Sequence, residues 1–401
     1  MRIAFVTTEY VTEPSYDGGL SNYVHRVVLS LKKFGHYPIV IVISDRDEFF
    51  FHGDIEVHRV RYFLEGWLVR LNNLTRKIFD QSILLLRTSW LLNSRLKMIN
   101  LENPISLVQF THLGGVSFFK PKGIPAVIRL SSFTSLWRKF GAFSNMPPFQ
   151  IQQLELIEKW ALKKVDFVFG PCKQIAAIVS DELKKPVRTI ESPFLMDVKG
   201  PDESIYRKHL FGKKYFLFFG TLIEHKGVSI IAETLPFLLK NNPSIYFAFV
   251  GKQAPYKGSP MMNYVMEKAG EYGNRVLNLG KMPHEQLYPI LGNAYAVVLP
   301  SLVENFANVC LEAMAHRRVV IGTKRTSFED TIIHGKNGFL SEPGDHASLL
   351  ETMEMVLNLP EEERKRIGEM AQKQVLNYQP EKVVRKLLEF YKEILEPEFR
   401  Q

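Results

Sequence analysis

Short apolar runs of strand character alternate with longer segments of helical period along the whole chain, and the alternation starts over once. The first set of runs is 2–7, 38–43, 105–110, 125–130 and 165–169, each bounded by turns and rich in Val, Ile and Phe. Near-continuous apolar runs of this kind suit parallel strands covered on both faces. Between them lie helical candidates at 20–34, a long segment near 67–99, and 149–163. The second set is 215–219, 245–250, 276–279, 295–299 and 319–321, separated by helical stretches near 228–240, 261–272, 285–291, 308–315 and 346–357. Strand–helix alternation occurring twice predicts an α/β chain of two Rossmann-like, doubly wound domains facing a cleft. At 401 residues the chain also exceeds what one ordinary core holds.

The period lapses between Ser192-Pro193 and Pro201-Asp202, where prolines cluster. This divides the chain into an N-terminal domain, 1–195, and a C-terminal domain, 196–380. A final amphipathic helix within 381–401 follows no strand and is free to pack back on the N-terminal domain. Open α/β sheets bind ligands beyond the carboxyl ends of their strands, so the chemistry is expected in the loops that follow strands.

The formal charge of +9 is unevenly placed. Residues 1–200 carry 26 Lys+Arg against 18 Asp+Glu, a balance of +8, and the remainder carries 25 against 24, a balance of +1. A basic first half suits an anionic partner, whether a membrane surface, an acidic glycan or nucleic acid, and equally a plain solvated surface. No aromatic-basic recognition motif accompanies the charge, which leaves nucleic acid the weakest of these. The long segment near 67–99, with Arg61 just before it, mixes Trp67, Phe79, Trp90 and many leucines with Arg70, Arg76, Lys77, Arg87, Arg95 and Lys97, a composition that fits an anionic membrane face or a core helix with a wet basic side.

Two cysteines, Cys172 and Cys310, lie far apart in apolar surroundings, which argues against a disulfide framework and fits a reducing compartment. The opening Met1-Arg2-Ile3-Ala4-Phe5-Val6 reaches Glu9 before an apolar region of leader length forms, so it reads as a first strand. The longest greasy run, 83–92, is broken by Arg87 and is too short to span a bilayer.

The most informative segment runs Pro300-Ser301-Leu302-Val303-Glu304-Asn305-Phe306-Ala307-Asn308-Val309-Cys310-Leu311-Glu312. It leaves the carboxyl end of the strand at 295–299 and enters a helix, with Glu304 in the loop and Glu312 about two turns on. Two carboxylates so placed can accept hydrogen bonds from sugar and ribose hydroxyls. Between them, the backbone N–H groups around Phe306, Ala307 and Asn308 open a helix, a cradle for phosphate oxygens.

This segment resembles the E-x7-E signature of the retaining family 4 glycosyltransferases, which have the two-domain GT-B fold. The resemblance implies a sugar contact for Glu304 and a ribose contact for Glu312. Further pieces follow in the family's order. Gly220-Thr221-Leu222-Ile223-Glu224-His225-Lys226-Gly227 resembles the stretch whose Arg and Lys neutralise the donor diphosphate; Lys226 matches the Lys, while Thr221 stands where the Arg is usual. Thr221 adds a hydroxyl without charge, so either another cation substitutes, with Lys324 or Arg325 as candidates, or donor affinity depends more on the helix N-terminus. Lys281 and Met282 sit in a stretch resembling the loop whose backbone meets the nucleotide base. Val250-Gly251-Lys252 matches a glycine turn, and 333–340 a structural one.

In the first domain the resemblance makes Gly18 and Gly19, in Asp17-Gly18-Gly19-Leu20, candidates to lie against the donor phosphate and the acceptor. It also puts His112, just past the strand at 105–110, near the donor sugar. Arg129-Leu130-Ser131-Ser132 ends the next strand where many relatives carry another His.

Asp45-Arg46-Asp47 imitates a D-x-D metal motif but follows a strand of the wrong fold, and the eleven histidines lack zinc-ligand spacing. No metal and no cofactor are therefore expected, the nucleotide diphosphate sugar being a substrate. The implied function is a retaining transfer from that donor to a glycan, lipid-linked or other hydroxyl acceptor, in envelope or surface polysaccharide synthesis. The implied location is cytoplasmic, peripheral on the inner face of the membrane. The competing readings are a nucleotide-sugar epimerase of the same fold, separated by incubating donor alone, and an inactive glycan- or membrane-binding module, separated by any turnover.

Overall fold

The computed structural model describes residues 1–14, 18–75, 77–143, 146–196 and 200–396. Asp17 of the first glycine turn and Arg76 of the basic segment lie outside the described residues. The chain forms two compact units: Met1–Pro193 with Gln379–Gln401, and Phe194–Tyr378.

Unit 1 is built on an eight-stranded sheet in the spatial order Glu48–His52, Ile55–Arg61, Tyr37–Ser44, Arg2–Thr7, Leu107–Thr111, Ala126–Arg129, Phe167–Gly170, Arg188–Thr189. Every neighbouring pair is parallel except the first, an antiparallel hairpin. The central strand explains why these segments read as unbroken apolar runs. Ile3 and Phe5 of Arg2–Thr7 enter the core on one face of the sheet, and Ala4 and Val6 enter the core on the other.

The closing helix Pro380–Leu395 belongs to unit 1. Its apolar residues Val383, Val384, Leu387, Leu388, Tyr391 and Ile394 recur at helical spacing and are buried in one core with Val24, Val27, Val28 and Leu31 of helix Gly19–Lys33. Tyr391 also donates a hydrogen bond to the Gln109 side chain on a central strand.

The long helix expected near 67–99 is two helices, Gly66–Leu74 and Asp80–Glu102. The side chains at the break account for it. Thr75 Oγ1 bonds back to the carbonyls of Leu71 and Asn72, Asn72 Nδ2 donates to Asp80 at 2.9 Å, and Lys77 takes a left-handed φ of 61°. Such side-chain bonds offer the backbone an alternative to helix. Arg87 is buried against the rings of Phe63 and Trp90 and pairs with Glu65 at 3.0 Å.

The sheet of unit 2 has six strands, all parallel, in the order Val276–Asn278, Ile245–Val250, Lys214–Phe219, Ala296–Val298, Val320–Thr323, Phe339–Ser341. Counted along the unit, this is 3-2-1-4-5-6, the doubly wound order. Among the described residues, no helix is long and apolar enough to cross a membrane.

Candidate active site

In unit 2 the strands Lys214–Phe219 and Ala296–Val298 are neighbours, while the strands after each lie on opposite sides of the pair. The order reverses there, and a doubly wound sheet opens a crevice beyond the carboxyl ends at that point. The two loops that leave these strands carry Lys226 and Glu304.

A glycine brings the loops together. Gly227 has φ 74°, and a Cβ built on it would lie 1.9 Å from the carbonyl oxygen of Pro300. Only a residue without a side chain allows this approach. Leu302 N–H then donates to the His225 carbonyl at 2.9 Å, and the Lys226 ammonium donates to the Glu304 carboxylate. Glu304 is buried, and its backbone carbonyl accepts from Ser327 N–H. Burial, reinforced by Lys226, pushes the His225 imidazole down to about 4, so it is neutral at pH 7. A second close approach packs the next loop: a Cβ on Gly251 would lie 1.8 Å from the Gly220 carbonyl oxygen.

Helix Asn308–Ala315 opens directly after the Glu304 loop, with Ala307 as N-cap, no side-chain cap and no acid in its first turn. Asn308 Oδ1 is buried and has no hydrogen-bond partner among the described residues. Glu312, on this helix, lies 3.9 Å from His284 Nε2. The His284 ring stacks on Tyr288, and Tyr288 packs on His316, whose Nδ1 donates to the Glu312 carbonyl at 2.9 Å. Glu312 therefore adjoins the segment carrying Lys281 and Met282. Met282 packs on the core of unit 2 and Lys281 is exposed. Phe306 packs on the same core, edge-on to Tyr378.

Thr221 is exposed. The two cations considered for the missing Arg both pair with Glu342, Lys324 at 2.8 Å and Arg325 at 2.8 Å. Lys324 first, then Arg325, hold that carboxyl below the usual range.

Gly18, Gly19 and His112 belong to unit 1. Its sheet order reverses between Arg2–Thr7 and Leu107–Thr111, and the loops after these strands carry the three residues. Gly18 has φ 153° and open space where a Cβ would stand, and Gly19 is the first residue of its helix. His112 is fully buried: Nδ1 accepts from Ser131 N–H at 3.1 Å, and Nε2 lies 3.9 Å from Glu158 Oε2. Burial, with Arg129 nearby, pushes this imidazole down to about 3.

Sequence reasoning missed Glu158. Its carboxylate accepts from Gly114 N–H at 2.9 Å and from Thr134 Oγ1 at 2.7 Å, and burial pushes it up to about 7. An acid in Pro148–Lys163 reads as a wet-face residue, but Leu154, Glu158, Ala161 and Leu162 recur at helical spacing and are all buried. The next strand also ends on a buried charge. Arg129 lies 3.6 Å over the Tyr23 ring and donates to Ser192 Oγ at 2.8 Å. Of the decoy metal motif, Asp47 pairs with Arg95 at 2.9 Å. Both cysteines are buried, and neither is in a disulfide.

Residues 202–374 match the family model for glycosyl transferases group 1. The chain is 25% identical to a glycogen synthase of Mycobacterium tuberculosis over 221 residues, covering 52% of this chain and 50% of that one. It thus spans about half the length of that relative. It is 24% identical over 375 residues to an uncharacterized glycosyltransferase of Methanocaldococcus jannaschii, covering 89% of each. Among solved structures, the sucrose-phosphate synthase of Thermosynechococcus elongatus superposes with a TM-score of 0.73 at 18% identity, covering 98% of this chain and 99% of that one. Anabaena HepE in complex with UDP and glucose superposes with a TM-score of 0.66 at 18% identity, with the same coverage. The fold is that of the GT-B glycosyltransferases.

Proposed function

We propose that this chain is a retaining glycosyltransferase that takes a sugar from a nucleotide diphosphate donor bound on unit 2. The observation that carries the reading is the Lys226–Glu304 pair at the reversal point of the unit 2 sheet, inside the stretch that matches the family model. A cation and a carboxylate meeting there supply the two functions a departing nucleotide diphosphate and its sugar require. In this reading Glu312 accepts hydrogen bonds from the ribose hydroxyls. The N-terminus of helix Asn308–Ala315 and Lys226 receive the diphosphate, and Glu304 takes the sugar hydroxyls.

As the sugar–phosphate bond breaks, negative charge grows on the diphosphate, and Lys226 with the helix N-terminus stabilises it. The acceptor hydroxyl attacks the oxocarbenium-like carbon from the face the phosphate leaves, and a phosphate oxygen takes its proton. The configuration is retained and no separate base is required. No metal takes part. Lys226 stands without the family's Arg beside it, so the helix dipole carries a larger share of the phosphate field here than where two side chains share it.

The acceptor, a glycan, lipid-linked or other hydroxyl compound of surface polysaccharide synthesis, falls to unit 1. Peripheral contact with the cytoplasmic face of an anionic membrane belongs to the same proposal. Helix Gly66–Leu74 and the turn after it expose Trp67, Leu71, Leu74, Ile78 and Phe79, and 66–79 holds no acid beside Arg70 and Lys77. Exposed apolar side chains of this density flanked by bases suit an anionic lipid surface.

The experiment is incubation with α-linked nucleotide sugars, uridine forms first because HepE was solved with UDP and glucose, followed by NMR of the product. An α-glycoside is the expected result. A β-glycoside would overturn the retaining assignment, and conversion of the donor sugar without an acceptor would make the chain an epimerase.

A further inference from the structure

At the opposite end of the unit 1 strands from His112 and Gly18 lies a cavity of about 820 Å³. It is formed by the end of helix Asp80–Glu102, the connection leading into the strand Ala126–Arg129, and Lys164 just past helix Pro148–Lys163. Helices of a doubly wound sheet run antiparallel to its strands, so these helix ends mark the amino ends of the strands. Ligands of the reaction bind at the carboxyl ends. The volume falls within the range of small-molecule sites.

Its lining is of one sign. Lys97, Lys120, Lys122 and Lys164 contribute to the wall, and no carboxylate does. Helix dipoles account for one of the four. Lys164 caps the carboxyl end of Pro148–Lys163, and its ammonium lies 3.6 Å from the Phe118 ring and donates to the Phe118 carbonyl at 3.0 Å. Lys97 is not in the last turn of its helix, and Lys120 and Lys122 are on the connection. None of these three pairs with a carboxylate among the described residues. Like charges gathered around a concavity repel one another and raise the local potential, which an anion of matching charge relieves.

Apart from Asn100, the rest of the wall is apolar and partly open to water, with Phe119 at 40% and Leu101 at 84% exposure beside Phe118. Trp160, half exposed, adjoins Phe118 with ring centroids 6.4 Å apart. Several ammonium groups favour a multiply charged group over a single carboxylate, and the aromatic and aliphatic rim favours one carried on an apolar body.

We infer that this cavity binds a phosphate-bearing ligand at a site separate from the transfer site, with Lys97, Lys120 and Lys122 as the phosphate contacts. The inference stands independently of the glycosyl-transfer reading.

The test compares the full-length wild type with the triple variant Lys97→Ala/Lys120→Ala/Lys122→Ala. The substitutions fall on side chains at the surface of the cavity, and a thermal scan checks that the fold is kept. Calorimetry is run in two arms, both with UDP present so that a donor site is occupied. One arm titrates inorganic pyrophosphate, and the other titrates dihexanoyl phosphatidic acid, a phosphate monoester, below its micellar concentration. The expected result is a tenfold or greater loss of affinity in the triple variant, with UDP binding unchanged. Loss in the pyrophosphate arm assigns a free phosphate compound, and loss in the lipid arm alone assigns a headgroup. Equal binding by wild type and variant in both arms, or no binding by wild type in either, overturns the site. A protein that binds no nucleoside diphosphate and transfers no sugar, yet shows the expected loss, would sink the transferase reading and leave this one standing.

Discussion

The ammonium of Lys226 is hydrogen-bonded to the carboxylate of Glu304, although the two residues are 78 positions apart. Each is therefore neutralised by the other before any donor arrives. In the proposed reading, binding of a nucleotide sugar is an exchange in which phosphate oxygens replace the carboxylate at Lys226 and sugar hydroxyls replace the ammonium at Glu304. Two charged groups that hold each other also stay in place without a ligand, which limits the reorganisation left for the bound state.

If this exchange operates, Lys226→Ala removes a charge-assisted bond worth roughly 1.5–3 kcal/mol, about ten- to a hundredfold in nucleoside diphosphate affinity. Single-turnover transfer should fall further, because the charge on the phosphate grows as the bond breaks. Equal calorimetric affinity for wild type and variant would count against a phosphate role for Lys226.

The two glutamates separate by their partners. Glu312→Ala should weaken the bare nucleoside diphosphate by about ten- to a hundredfold. Glu304→Gln should leave that affinity unchanged or slightly improved, since it frees Lys226, while slowing single-turnover transfer by about a hundredfold or more. Comparable weakening of the nucleotide by both changes would show that the roles are wrongly divided.

Gly227→Ala tests the contact between the two loops. The new methyl meets the Pro300 carbonyl in a backbone conformation unsuited to it, so the loops must part. A loss of about 2–4 kcal/mol in urea denaturation is expected, from strain and overpacking together, along with loss of nucleotide binding. Retention of both within a factor of two would be incompatible with the close approach described.

Glu158 gives a pH signature. Burial raises its carboxyl to about 7 from an ordinary 4.5. The contribution of its protonated form is fully present below the unfolded value and is lost as pH rises through the folded one. Glu158→Gln cannot ionise. Relative to wild type, the variant should therefore gain on the order of 3 kcal/mol in stability between acid conditions near pH 4.5 and pH 8. Parallel stability curves for the two proteins over that range would contradict the burial argument.

Membrane contact predicts that the full chain sediments with phosphatidylglycerol vesicles, is released by salt, and ignores phosphatidylcholine. The attraction is screened over about 8 Å at physiological ionic strength. Trp67→Ser together with Leu74→Ser should cut the bound fraction severalfold without altering nucleotide affinity. Equal partition onto neutral and anionic vesicles would remove the membrane proposal alone.

The strands were the most legible part of the sequence, because burial on both faces forces continuous apolar runs. The expected ranges 2–7 and 245–250 coincide with Arg2–Thr7 and Ile245–Val250. The hairpin Glu48–His52 with Ile55–Arg61 is not among the expected strands, although Gly53-Asp54 between two apolar-rich runs marks it; Phe49 and Phe51 are exposed there, so the runs lack the buried signature. In the site, Glu304 and Lys226 could be named from their loops, but their bond to each other depends on Gly227 passing under Pro300, a tertiary fact. His112 could be located after its strand, whereas its burial and its neighbour Glu158 come from a helix packed over it, which strand-end reasoning does not reach.

The helix Pro380–Leu395 completes the core of the unit that the first residues begin, so unit 2 is spliced into unit 1 along the chain. During synthesis, every residue of Phe194–Tyr378 leaves the ribosome while unit 1 still lacks the side chains that cover Val24, Val27 and Leu31. Unit 1 is thus begun before unit 2 and finished after it, and its apolar face waits for nearly two hundred residues of elongation, roughly ten to forty seconds at about 5–20 residues per second.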